Sequence, residues 1–191
     1  VATAAGGSYN VFQLPLESPN HGARSMAIAP EDSLASPFGW HDVDGAEGAD
    51  YTITRGNNVH AYLDVVSNNG SQDDEPDGGA DLIFDFPYDD NFEPDQMRDA
   101  AVTNLFYMNN MIHDITYQYG FTEETGNFQA NNYGRGGTDD DHVHAEAQDG
   151  SGENNANFST PADGGNGRMQ MFLWNTNSNQ LFIDGDGDIT G

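Results

Sequence analysis

Between residues 97 and 119 the side chains Met97, Ala101, Leu105, Met108, Ile112, Ile115 and Tyr119 recur at spacings of three and four. That is the period of one helix face, and it predicts a helix of about six turns whose apolar stripe meets a core. Pro94 falls where a first-turn proline is tolerated, Glu93 and Asp95 suit the positive end of the helix dipole, and Gly120 supplies the stop. Upstream, residues 8–66 alternate short apolar or β-branched pieces (YNVFQLPL, ASPFGWHDV, YTITRG, VHAYLDVV) with Pro, Gly and Asn turns, which predicts short strands in an irregular β region. The stretch 68–80, NNGSQDDEPDGGA, holds no large apolar residue and is rich in acids, so an exposed, flexible excursion is expected there. After the helix, HVHAEAQDG has strand length and alternation, NNANFSTP is short and extended, and RMQMFLW is a second apolar strand. The order is β-rich, long helix, β-rich: an α+β chain.

Size and charge narrow the picture. The chain has 191 residues, 36% of them hydrophobic, enough to bury the core of one domain. Its 32 acids face 5 bases, all Arg, and the net charge of -27 repels nucleic acid and anionic membrane alike. Neither is expected as a partner. There is no long apolar run, and VATAAGG lacks the basic start of a secretory signal, so any targeting peptide is expected to have been removed. Such acidity fits high external salt, bound divalent cations or a surface without Lys, each of which points outside the cell. With no Cys, thiol catalysis, thiolate zinc sites and disulfides are all excluded.

Three constellations could carry chemistry. His142 and His144 lie two apart on a strand, hence on one face, a geometry a transition metal can use, though an ordinary solvated strand end has the same text. His113-Asp114 lies within the helix, either as an oriented general base or as a hydrogen-bonded pair in the packing seam. Asp184, Asp186 and Asp188 alternate with glycines, which is how oxygen-only calcium loops begin, but Ile189 stands where an EF-hand needs Gly. Nucleophile elbows, phosphate-cradling glycine loops and His-Glu-x-x-His are absent from the sequence.

The segments NNMIHDITYQYGF, GNFQANNYGRGG, AEAQDGSGENNANFSTPADG and GRMQMFLW, with YNVFQLPLESPNHGARS, ASPFGWHDV and YTITRGNNVHAY before them, together resemble the fungalysin family of secreted zinc metalloendopeptidases. The resemblance covers nearly the whole chain. It implies a thermolysin-like fold in which a β-rich lobe and a mainly helical lobe flank a zinc cleft, residues 1–191 being the β-rich N-terminal lobe. In the family the zinc ligands lie on a His-Glu-x-x-His helix that follows the stretch matching GRMQMFLW. This sequence stops at Gly191 without that motif, so the chain alone is expected to be inactive and the zinc-binding lobe to lie outside it. Asn155 and Ala156, within Glu153-Asn154-Asn155-Ala156-Asn157-Phe158, resemble the rim segment that pairs with substrate backbone in thermolysin-like clefts. The implied partners are protein or peptide substrates and the rest of the catalytic domain. An acidic, calcium-binding extracellular protein that descends from the fold without catalysis is the alternative.

Overall fold

The computed structural model describes residues 6–16, 19–70, 75–175 and 181–182. Strands β1 (Ser8–Val11), β2 (Ser25–Ile28), β3 (Val59–Leu63) and β4 (Ile83–Phe84) precede the long helix α1 (Arg98–Gln118), and β5 (Val143–Ala147), β6 (Ala156–Ser159), β7 (Arg168–Met171), β8 (Trp174–Asn175) and β9 (Leu181–Phe182) follow it. The order matches the expected α+β arrangement. A three-stranded sheet runs β2-β1-β4, a four-stranded sheet runs β3-β5-β7-β6, and β8 pairs with β9.

Helix α1 lies between the two larger sheets, contacting β1, β3 and β5. The strands present Tyr9, Val11, Val59, Ala61, Leu63, Val143, Ala145 and Met171 to a core that the helix fills with Val102, Leu105, Phe106 and Met108. A 3-10 turn at Pro94–Gln96, tied by Glu93 N–H donating to Gln96 Oε1 at 2.9 Å, leads into the helix. Gly120, at φ 98°, ends it in a backbone region that glycine enters without strain.

The structure corrects the predicted stripe at its C-terminal end. Residues 100–108 are buried on every side, whereas Ile115 is 42% and Tyr119 89% exposed. There the inward positions belong to His113 and Asp114, because the helix end meets a polar network of loops rather than a sheet. A second correction concerns ASPFGWHDV and YTITRG, which form turns and isolated bridges rather than strands. Trp40 and His41 are both turned into the core, against Tyr9, Phe84 and Phe106. Gly56 packs so closely on them that a Cβ there would lie 1.6 Å from the Trp40 carbonyl oxygen.

The two faces of the four-stranded sheet differ. Val59, Ala61, Leu63, Val143, Ala145, Ala147, Met169 and Met171 face α1, so the alternate residues form an opposite face of His60, Tyr62, His144, Glu146, Arg168 and Gln170. This second face is partly covered by Asn69, Glu75 and Pro76. Arg168 Nη1 donates to Asn69 Oδ1 at 2.8 Å, His60 Nε2 lies 2.8 Å from Glu75 Oε1, and Pro76 is buried.

Candidate functional site

Strand β6 is the free edge of the four-stranded sheet, and all four of its residues are exposed. Its backbone orientation follows from its neighbour. Gly167 and Met171 turn their carbonyls toward β5, accepting from His144 and Asp149, so Arg168, Gln170 and Phe172 turn theirs toward β6. The bond from Phe172 N–H to the Asn155 carbonyl, 3.3 Å, fixes the same parity on β6. Asn155, Asn157 and Ser159 therefore face β7, while the backbone groups of Ala156 and Phe158 point outward to the open side of the sheet.

The turn into β6 explains this presentation. Asn154 sits at φ 55°, a conformation that Asn tolerates better than most residues, and donates its N–H to the Leu173 carbonyl at 2.9 Å. Asn155 Oδ1 then accepts the outward Ala156 N–H at 2.9 Å. On the helix-facing side Phe158 packs edge-on against Phe128, ring centroids 5.7 Å apart, which anchors the strand while its backbone edge stays open. Beside the start of β6 lies an open cavity of about 730 Å³ lined by Val65, Pro94, Arg98, Asp149, Ser151 and Glu153, among others.

Across the sheet, Tyr62, Glu146, Gln170 and Asn157 stand in one register row. Tyr62 Oη donates to Glu146 Oε1 at 3.0 Å, Asn157 Nδ2 to Gln170 Oε1 at 3.0 Å, and Gln170 Nε2 to Asp149 Oδ2 at 2.7 Å. The edge strand is thereby linked to buried carboxylates. Burial and neighbouring Asp149 push the Glu146 carboxyl up to about 7. A second acidic group joins the buried Asp42 to the exposed Asp44 and Asp50, and Tyr133 Oη donates to Asp42 Oδ1 at 2.8 Å.

This description accounts for the other residues singled out in the sequence. His142 and His144 do come together, ring centroids 5.1 Å apart, and His60 joins them at 6.2 Å from His144. They make no metal centre of their own: among the described residues no group of three ligand atoms includes a histidine, and His60 Nε2 is engaged by Glu75. Burial holds His142 down near 4, with His144 adding to the effect. His113 Nδ1 pairs with Asp114 Oδ1 at 2.9 Å, and the carboxylate of Asp114 also accepts from Ser36, Trp40 and Asp32 N–H, so the pair belongs to the packing seam. Asp184, Asp186 and Asp188 lie outside the described residues.

A family model, fungalysin metallopeptidase (M36), matches residues 8–190. The chain belongs to the fungalysin family. It is 44% identical over 174 residues to extracellular metalloproteinase 2 of Arthroderma benhamiae, a match covering 90% of this chain and 27% of the relative. Extracellular metalloproteinase 2 of Trichophyton rubrum is 45% identical over the same shares, and that of Arthroderma otae is 44% identical over 187 residues, 97% of this chain and 28% of the relative. The fungalysin chain described here thus spans a little over a quarter of the length of these relatives. No helix among its described residues is long and apolar enough to cross a membrane.

The buried row beside β6 was missed by sequence reasoning. Glu146 reads as the solvent-facing member of an alternating strand, and Asp64 as the first acid of a turn. The available signal was a Glu between two alanines, in a strand whose neighbours on the same face are His and Gln; only the pairing of β3 with β5 brings Asp64 to it.

Proposed function

We propose that this fungalysin chain is the β-rich N-terminal lobe of an extracellular zinc-dependent endopeptidase, and that β6 is the strand against which the substrate backbone lies. The observation that carries the reading is the outward alternation of β6, together with membership in a metallopeptidase family. An extended peptide satisfies unpaired N–H and C=O groups on such an edge whatever its side chains are, which suits cleavage of varied protein substrates. Extracellular placement is carried over from the names of the relatives.

The roles of individual residues follow from their atoms. The Ala156 carbonyl and the Phe158 N–H and carbonyl pair with substrate main chain. Asn155, whose Oδ1 is held by the Ala156 N–H, offers its amide N–H groups to a substrate carbonyl. Phe158 on Phe128 keeps the strand from collapsing inward. The donor set of the described residues does not fit zinc, since among them no histidine belongs to a three-ligand group, so the proposal gives none of them a zinc-binding role. The contribution of these residues is to bind and orient.

Replacing Asn155 by Ala lowers kcat/KM for peptide hydrolysis by the full-length enzyme about two- to tenfold, the worth of one side-chain hydrogen bond. The melting temperature stays unchanged, because Asn155 is exposed and its carbonyl bond to Phe172 is made by the backbone. Peptide kinetics and thermal melts of wild type and variant check this. An unaltered kcat/KM would make Asn155 an ordinary turn residue.

A further inference from the structure

At the ends of β3 and β5, on the face away from α1, three carboxylates converge. Asp64 is 1% exposed, Glu146 0% and Asp149 1%, and one oxygen from each lies within 4.8 Å of the others. Their positions are firmly set. Asp64 accepts the N–H groups of Asn68 and Asn69, both at 2.8 Å, and Asp149 accepts the Ser151 N–H at 2.6 Å and Gln170 Nε2 at 2.7 Å. Glu146 Oε1 accepts the Tyr62 hydroxyl at 3.0 Å. Glu146 Oε2 is buried and has no protein partner.

All of these donors are neutral. Arg168, the guanidinium on the same face, directs its donors to Asn69 and Gln170 instead. Three buried carboxylates this close repel one another strongly in a medium that screens poorly, and an orphaned oxygen among them lacks the partner that a buried acceptor requires. We propose that Asp64, Glu146 and Asp149 form a buried calcium site, closed by the lone pairs that their hydrogen bonds leave open and by Glu146 Oε2.

The chemistry of the donors selects the ion. An all-oxygen set rich in carboxylates, without imidazole or thiolate, suits a hard divalent cation, and carboxylates aimed by turns and strand ends suit the irregular coordination of calcium better than the strict octahedron of magnesium. Asp149 also lines the open cavity of about 730 Å³, so the cluster lies next to solvent-filled space. The site is coupled to the substrate edge, because Gln170 holds Asp149 with its Nε2 and Asn157 of β6 with its Oε1. A bound ion would tie the ends of β3 and β5 together and steady the row that supports β6. The site uses none of Asp184, Asp186 and Asp188, and its test needs no proteolytic readout.

The experiment uses full-length protein carrying Asp44→Asn together with Asp184→Asn, Asp186→Asn and Asp188→Asn, which weakens the other acidic candidates of this chain. After removal of calcium with a calcium-selective chelator, calcium is titrated calorimetrically, and terbium is titrated with emission excited through tyrosine. The expected result is a calcium-binding step whose affinity Glu146→Gln lowers about tenfold or more. Tyr62→Phe keeps calcium binding but loses most of the sensitised terbium emission, since the Tyr62 ring is held against Glu146. Calcium binding that Glu146→Gln leaves unchanged overturns the site. So does the absence of binding with melting independent of calcium, which would mean that the carboxyls share a proton. Should Glu146→Gln fail to fold, Tyr62→Phe decides: terbium emission equal to that of the parent refutes the proposal.

Discussion

Replacing Asp114 by Ala destabilises the fold by about 3–5 kcal/mol, the range for breaking a buried hydrogen-bonded charge by removing one partner. Asp114 is 4% exposed and sits in the last turns of α1. One carboxylate oxygen accepts from Ser36 Oγ at 2.7 Å and His113 Nδ1 at 2.9 Å, and the other from Trp40 Nε1 and the Asp32 N–H, both at 2.9 Å. It thus fastens the 32–40 segment, which fills the core with Trp40, to the helix. Ala would strand four donors at once, whereas Asp114→Asn keeps an acceptor and should lose less. Urea unfolding followed by tryptophan fluorescence checks the order wild type, Asn, Ala; equal stability of all three would remove Asp114 from this role.

Acid weakens the fold through His41. This imidazole is 2% exposed, stacked on Phe84 and Phe106, with Nε2 2.8 Å from the Tyr9 hydroxyl and Nδ1 3.0 Å from the Arg55 carbonyl. Burial lowers it from its ordinary 6.5 to about 4. The folded state therefore prefers the neutral ring and the unfolded state takes up the proton first. The stability involved is intact above pH 6.5 and is lost progressively as pH falls from 6.5 to 4, roughly 3 kcal/mol in all. In the calcium-free protein Glu146 acts in the opposite sense: raised from 4.5 to about 7, it favours the fold below pH 4.5, and that contribution is lost as pH rises through 7. Comparing wild type with His41→Phe at pH 7 and pH 4.5 cancels the Glu146 effect. The variant should lose distinctly less stability on acidification, and identical losses would count against a buried neutral His41.

Much of this architecture is written locally. The period of three and four identifies α1 because its first half is buried by sheets on two sides. The period misleads at Ile115 and Tyr119, where loops rather than sheets receive the helix. Asn155 and Ala156 could be singled out only through resemblance: β6 is exposed at every residue and has no burial alternation for a pattern to report. Its strand character comes from pairing with β7. The acid cluster was illegible for a related reason. Asp64 and Glu146 stand 82 positions apart, and alternation along β5 marks Glu146 as facing away from the helix without revealing that Asn69, Glu75 and Pro76 help cover that face.

In the proposed function the outward groups of β6 receive substrate backbone, and amide hydrogen exchange reads them one at a time. Full-length enzyme is compared with and without a bound non-hydrolysable peptide. The Phe158 amide, which points to the open edge, should exchange markedly more slowly in the complex. The amides of Asn157 and Ser159, already in the ladder with β7, should change little. Protection of Asn157 and Ser159 with Phe158 unaffected, or no change anywhere on β6, would contradict this role of the strand.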